Sequence, residues 1–468
     1  MDAADADRLL TEANPWWRSP DWRERDVQLL RVAKAPFTYR PEALKDLERG
    51  GLYLLRGPRR VGKSTEIKRT IDGLIERGVV PRSIVHLSVE GRSSGDLEAL
   101  ITHIAGTLRG KPGECFWFLD EITAVQGSWP DVIKRMRDSN LQFAEDTVIL
   151  SGSSATQIEE ATKALAGRRG NALHVDRLLF QMPFTAVARA LGCDLPKADT
   201  LRPDQLRTNK LVDLVDFYRP WIPGFIAAWD RYLGIGGYPQ AVAAHLSQGS
   251  VDASFIETLF QIVHGDALAR VNFTPEQTVA ILRAVSRSLS STLSMTSVAT
   301  DANVVPNTAA ARLEDLRRSF LVFPVHREQG LAPKPRAQAK WYFTDPLLAT
   351  LATARGAGKT SDPTALSEQQ IALALLRALE AQSPTAALRH DQLLYYRSST
   401  RAEIDFVAAA FKGVCFESKF VDRGWGRAFQ TIAGSPYSHG IVATRSGLRQ
   451  HDGGWALPTA LMAVLLGC

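Results

Sequence analysis

From Gly51 onward, short apolar runs alternate with amphipathic stretches. GLYLLRG (51–57), SIVHLSV (83–89), CFWFLDE (115–121) and TVILSGS (147–153) predict four strands. The segments 63–77, 95–108 and 130–139 between them predict helices. Near-continuous apolar strands alternating with helices specify an α/β fold with a parallel sheet covered on both faces. This domain is expected over 46–190, behind a Trp-rich extension at 1–45 that holds Trp16, Trp17 and Trp22. A polar, Pro-bearing stretch then opens a helical linker or lid region over 191–270, broken at GIGGYP (234–239). Over 271–345, PEQTVAILRAVSRSL, MTSVATDANV and PNTAAARLEDLRRSF read as three helices, followed by two strands around a basic Gly/Pro loop. Three helices and a hairpin make a winged-helix order. The last part, 365–468, opens on the helical pattern SEQQIALALLRALEA. It continues with strands at LLYYRS (393–398), EIDFVAA (403–409) and GVCFESKF (413–420).

Composition adds exclusions. With 45% hydrophobic and 23% charged residues, the chain is neither disordered nor fibrous. The 468 residues carry 56 Lys and Arg against 50 acids, a net +6. That excess permits a nucleic-acid partner without demanding one, so the placement of the basic residues decides. Cys115, Cys193, Cys415 and Cys468 form no CxxC pair, which argues against a zinc site or a disulfide framework and for a reducing, cytoplasmic setting. The acidic N-terminus lacks the order of a signal peptide. The longest apolar run, Trp455 to Gly467, is too short to span a bilayer and is expected as a core strand or helix, so no membrane partner is expected.

The clearest chemistry lies at GPRRVGKST: Gly57, Pro58, Arg59, Arg60, Val61, Gly62, Lys63, Ser64 and Thr65 match GxxxxGK[ST] between a strand and a helix. Glycines let backbone N–H groups curl around phosphates, and the helix N-terminus adds a favourable dipole. Lys63 is expected to reach the β/γ-phosphates of ATP, and Ser64 to ligate Mg²⁺. Asp120 and Glu121 end an apolar strand, where desolvating two acids needs a reason. Holding Mg²⁺ (Asp120) and polarising the attacking water (Glu121) supplies one. The strand that follows ends in Ser151, Gly152, Ser153 and Ser154, and Ser153 is the candidate for sensing the γ-phosphate. In LAGRRGN (165–171), Arg168 or Arg169 is a candidate arginine finger, in cis or from a neighbouring subunit; a solvated basic loop is the other reading.

A second set of acids lies near the C-terminus. Glu403, Asp405, Glu417 and Lys419 fall on two strands joined by a turn at Lys412-Gly413. In a hairpin, Asp405 and Glu417 come together, and in E-x-K the Glu417 and Lys419 side chains share a face. Two carboxylates and a lysine suit Mg²⁺ binding and phosphodiester cleavage, with Asp405, Glu417 and Lys419 catalytic; the set resembles the PD-(D/E)xK nuclease core, which implies Glu368, on the preceding helix, as its helix acid and a further metal ligand. Gln430 follows on a later helix. The plainer reading is an amphipathic strand with a solvated Glu–Lys face.

NPWW, GPRRVGKST, FLDEI with Trp129 and Lys134 after it, SGSSA, GRRG, GGYP and EIDFV…FESK occur in one order. That order resembles the archaeal and bacterial AAA-type ATPases that carry an AAA_14 domain followed by a DUF4143 region. The resemblance implies a P-loop AAA+ ATPase domain, a helical and winged-helix middle, and an α/β restriction-endonuclease-like C-terminal domain of the PD-(D/E)xK kind. It also implies a homo-oligomer.

The third helix of the winged-helix group carries Arg312, Arg317 and Arg318, and the loop after it adds Arg327, Lys334, Arg336 and Lys340. A basic helix and wing suit phosphate contacts on DNA; protein contact is the alternative. Two functions follow. One is an ATP-hydrolysing AAA+ ATPase acting on DNA by remodelling, translocation or branch migration. The other is an ATP-dependent switch that gates assembly with a protein partner.

Overall fold

A computed structural model describes residues 3–153, 161–268, 272–356, 361–382 and 392–468. The chain divides into two compact units, one ending at Phe180 and one starting at Gln181.

The first unit is built on a five-stranded sheet of β1 (Leu52–Arg56), β2 (Ile84–Ser88), β3 (Phe116–Asp120), β4 (Thr147–Gly152) and β5 (Asp176–Leu178), in the order β2-β3-β4-β1-β5. Every pairing is parallel. The four expected strands are present, and so are helices Lys63–Glu76, Ser94–Thr107 and Trp129–Ser139. Strand β5 was not expected: three half-buried residues, Asp-Arg-Leu, carry no periodicity. Parallel pairing brings all strand C-termini to one edge, where ligands bind in open α/β sheets.

The Trp-rich entry packs on this unit. Both Trp16 and Trp17 donate their indole N–H to the Ile84 carbonyl, at 3.1 and 2.8 Å. Asn14 accepts from the His86 N–H and donates to the His86 carbonyl. Strand β2 is an edge strand, so these side chains cover backbone groups that would otherwise be open to pairing.

In the second unit, helices Pro275–Arg287, Met295–Ala302 and Pro306–Arg318 precede β6 (Val322–Gln329), β7 (Ala332–Pro333) and β8 (Lys340–Phe343). Strand β6 pairs antiparallel with both β7 and β8, which gives the winged-helix order. Helix Pro363–Gln382 leads into β9 (Leu394–Arg397), β10 (Glu403–Val407) and β11 (Val414–Lys419). Helix Arg427–Ala433, β12 (His439–Thr444), β13 (Arg449–His451), β14 (Gly454–Pro458) and helix Thr459–Leu465 follow. The apolar run at 455–467 thus supplies both a strand and a helix. Strands β9, β10 and β11 form an antiparallel meander, and β12 lies parallel to β11. Strand β6 also pairs in parallel with β9, so wing and C-terminal strands share one nine-stranded sheet. The modules expected at 191–270, 271–345 and 365–468 accordingly lie within one compact unit. Among the described residues, no helix is long and apolar enough to cross a membrane.

Candidate nucleotide site and carboxylate cluster

Strand β1 ends at Arg56, and the chain turns through Gly57 to Gly62 into helix Lys63–Glu76. Gly57 has φ +146°, and a Cβ there would fall 1.8 Å from the Leu179 carbonyl oxygen. Only glycine fits that position. Gly62, at φ +101°, caps the helix and has open space where a Cβ would be, as a cradle for a bulky anion requires. Lys63 is buried and donates to the carbonyls of Gly57 (2.9 Å) and Pro58 (3.0 Å), so its ammonium lies inside the loop. Arg60 is exposed at φ +66°, while Arg59 is half-buried near Glu121.

The acids come from the neighbouring strand. Ser64 donates its hydroxyl to Asp120 Oδ2 at 2.8 Å, which joins the helix start to the end of β3. Ser151, at the end of β4, donates to Asp120 Oδ1. Burial alone would raise the Asp120 carboxyl, but His86, Ser151 and Ser64 outweigh it and hold the group at about 2. Asp120 is therefore a carboxylate at any working pH. Glu121 follows in a left-handed conformation (φ +58°), a strained state for a residue with a side chain, and its N–H donates to Asp120 Oδ1 at 3.1 Å. Burial pushes the Glu121 carboxyl up, against the pull of the nearby Lys63. The set of Ser64 hydroxyl and Asp120 carboxylate is all oxygen, which suits a hard divalent cation such as Mg²⁺.

Two residues of this site escaped the sequence reading of their roles. Ser151, fully buried within β4, meets Asp120, whereas Ser153 lies one residue past the strand end. His86, on β2, sits with Nε2 4.0 Å from Asp120 Oδ2, beyond hydrogen-bond reach, and neither ring nitrogen has a hydrogen-bond partner among the described residues. A histidine inside the apolar run SIVHLSV was the available signal.

Both candidate arginine fingers are paired with acids of the first unit. Arg169 Nη1 and Nη2 form a fork on Asp176, at 2.9 and 3.3 Å, and Arg56 approaches the same carboxylate at 3.4 Å. Arg168 holds Asp138 at 2.8 Å. The Arg169 carbonyl accepts from the Leu52 N–H, at the start of β1. The nucleotide loop leaves the other end of that strand, roughly 15 Å away by strand rise. Both guanidiniums are engaged within their own unit.

The C-terminal acids do come together. Phe406 and Phe416 are register partners, so Asp405 and Glu417 face each other one step along. The Asp405 N–H donates to Glu417 Oε2 at 3.2 Å, and the Ser418 N–H to Asp405 Oδ2 at 2.9 Å. Lys419 holds Glu417 Oε1 at 2.6 Å. Gln430 lies exposed on helix Arg427–Ala433. At the centre is a residue expected in solvent. Lys340 is only 1% exposed, and its Nζ lies 2.7 Å from Glu403 Oε1, 2.9 Å from Asp405 Oδ1 and 3.6 Å from Glu368 Oε1. Tyr342 donates to Glu368 at 2.6 Å. Burial would lower the Lys340 ammonium, but Asp405, Glu368 and Glu403 raise it well above its usual value. Burial raises Glu368 and Glu417, and the charge of Asp405 adds to it. Among the described residues, no group of three or more His, Cys, Asp or Glu side chains is disposed to hold a metal. The expected Mg²⁺ ligands Glu368, Asp405 and Glu417 are thus near one another but not arranged around a free cation position.

The arginines of the basic helix are paired within it. Arg317 and Arg318 both pair with Glu314, and Arg312 with Asp315 at 3.1 Å. Arg327 donates to the Arg397 carbonyl. Of the four basic wing residues, Lys334 and Arg336 are exposed, Arg327 is half-buried and Lys340 is buried.

Residues 49–182 match AAA_14, an AAA domain. The first unit has the P-loop AAA+ fold. Residues 226–359 match a domain of unknown function, DUF8612, where a DUF4143 region was expected. No curated protein matches the chain. Among solved structures, the chain is similar to a Walker-type ATPase of Pyrococcus abyssi (14% identity, 72% of this chain and 95% of that one, TM-score 0.37). It is also similar to the ORC2 protein of Aeropyrum pernix (13%, 71% and 95%, 0.33) and to RuvB of Thermotoga maritima (12%, 71% and 95%, 0.29). At these scores the likenesses carry no argument about function.

Proposed function

We propose that the chain is an ATP-hydrolysing AAA+ ATPase that acts on DNA, with ATP and Mg²⁺ as its cofactors. The observation that carries this reading is the meeting of Ser64, Asp120 and Glu121 at the strand edge beside the buried Lys63. Lys63 and the loop N–H groups between Gly57 and Thr65, Pro58 excepted, would hold the phosphates; Ser64 and Asp120 would hold the cation, and Glu121 would orient the attacking water and accept its proton. Bound Mg²⁺ supplies charge neutralisation on the transferring phosphoryl group. A homo-oligomer and a cytoplasmic setting belong to the same reading; Cys115, Cys193, Cys415 and Cys468 are free thiols.

The C-terminal order of helix, three-stranded meander, helix and parallel strand supports a nuclease-like fold. DNA contact would fall to the exposed wing residues Lys334 and Arg336. A second reading, an ATP-dependent switch acting on a protein partner, is favoured by the pairing of Arg312, Arg317 and Arg318 with acids of their own helix.

The test is ATP turnover titrated with duplex, single-stranded and branched DNA across a salt series. DNA is expected to stimulate turnover, and binding is expected to weaken steeply with salt. The double variant Lys334→Ala/Arg336→Ala is expected to weaken binding to all sequences alike and reduce the salt slope by about 2. A rate indifferent to every DNA, with no retention at low salt, would favour the protein switch.

A further inference from the structure

A nuclease-like core uses its clustered carboxylates to hold a divalent cation. In this chain the acids converge on an ammonium instead. Lys340 enters from β8, a wing strand, and reaches Glu403 at 2.7 Å and Asp405 at 2.9 Å, with Glu368 at 3.6 Å. The face of Tyr395 lies 5.5 Å from the same Nζ. Its strand is held along β6 from Val322 to Val325, so the lysine is fixed by the sheet and is not a surface side chain swung inward. Most of the other carboxylate oxygens also have donors. Asp405 Oδ2 accepts the Ser418 N–H, Glu417 accepts the Asp405 N–H and Lys419, and Glu403 Oε2 accepts Arg397. Mg²⁺ keeps several waters and takes only one or two carboxylates, so what bars a divalent metal here is the ammonium that already occupies the acids and repels a second cation.

We infer that Lys340 is the built-in cation of this carboxylate cluster, in the position a divalent metal takes in a cleaving nuclease, so that the C-terminal fold does not cut DNA. The cluster satisfies the rule that buried charges are paired, by using a side chain in place of an ion. It also joins the wing to the C-terminal core at their shared sheet, because Lys340 belongs to one and its acids to the other. The inference rests on the nuclease-like reading of 365–468 but not on ATP hydrolysis.

The decisive comparison uses the full chain, free of nucleotide and carrying Ser64→Ala/Asp120→Asn to remove cation uptake at the nucleotide loop. Mn²⁺ binding is followed by electron paramagnetic resonance, and Mg²⁺- or Mn²⁺-dependent nicking on supercoiled plasmid. With Lys340 present, neither a bound Mn²⁺ that depends on Asp405 nor any nicking is expected. Lys340→Ala is expected to gain a Mn²⁺ site at least about tenfold tighter than any in its parent, and Lys340→Ala/Asp405→Asn to lose it again. Because Lys340→Ala removes the partner of buried acids, its unfolding midpoint is also read with and without Mn²⁺. Mn²⁺ should raise the midpoint of this variant and leave the parent unmoved. Mn²⁺ binding or nicking by the parent that Asp405→Asn abolishes would overturn the inference. So would a Lys340→Ala chain that Mn²⁺ neither binds nor stabilises. Either failure leaves the ATPase reading standing, since ATP turnover is not measured.

Discussion

Replacing Glu121 by Gln should lower ATP turnover about 10²–10⁴-fold, the usual contribution of a positioned acid–base group, while nucleotide binding persists. The substitution keeps the size of the side chain and the left-handed backbone, so Asp120 keeps its bonds from Ser64, Ser151 and the residue 121 N–H. What disappears is the carboxylate that takes the water's proton. Lys63→Ala should differ: its ammonium is the buried cation of the loop, so binding and turnover should fall together. Phosphate release and titration with a fluorescent nucleotide separate the two. Unchanged turnover in Glu121→Gln would remove that residue from the mechanism. Lost binding in the same variant would make it a structural group.

The parallel sheet was legible because its strands are buried on both faces and read as unbroken apolar runs. The loop 57–65 was legible because its glycines answer local backbone demands that a spacing records. Non-local partners were harder to see. Nothing near Arg169 in the chain announces that its guanidinium joins that of Arg56 on Asp176, since β5 carries no periodic signal. Lys340 looked like one more wing charge, yet it opens KWYF, a strand whose other residues are mostly buried. A charge inside such a run is the cue to look for buried acids. The neutralised helix 306–318, by contrast, was readable throughout: Glu314 and Asp315 stand three or four residues from the arginines they bind.

These pairings alter the meaning of the small net charge. The basic residues gathered at 312–340 are largely spent on acids of the same unit, with Lys340 wholly interior. The unpaired and exposed charges that DNA or an acidic protein partner meets there are, among the described residues, those of Lys334 and Arg336. Contact with a nucleic acid therefore depends on few phosphates and should be weak and salt-sensitive.

Asp176→Asn should be among the most destabilising conservative changes in the first unit. Asp176 is buried, with side-chain exposure of 3%, and it faces the equally buried Arg56 at 3.4 Å and the fork of Arg169 at 2.9 Å. Removing one partner of a buried ion pair leaves charge without compensation and costs about 3–5 kcal/mol. For a unit of this size, that is a fall in unfolding midpoint of roughly 6–20 °C. Arg169→Ala removes one arm only, and Arg56 keeps the carboxylate paired, so its loss should be smaller. The contrast with Arg168 separates a strut from a catalytic finger. Arg168 holds the exposed Asp138, where a pair contributes little, so Arg168→Ala should leave the midpoint nearly unmoved. If Arg169 is a strut, Arg169→Ala lowers the midpoint, and the turnover of the remaining folded protein stays near that of the parent. A variant with an unchanged midpoint and turnover reduced about 10³-fold would mark Arg169 as a catalytic finger instead.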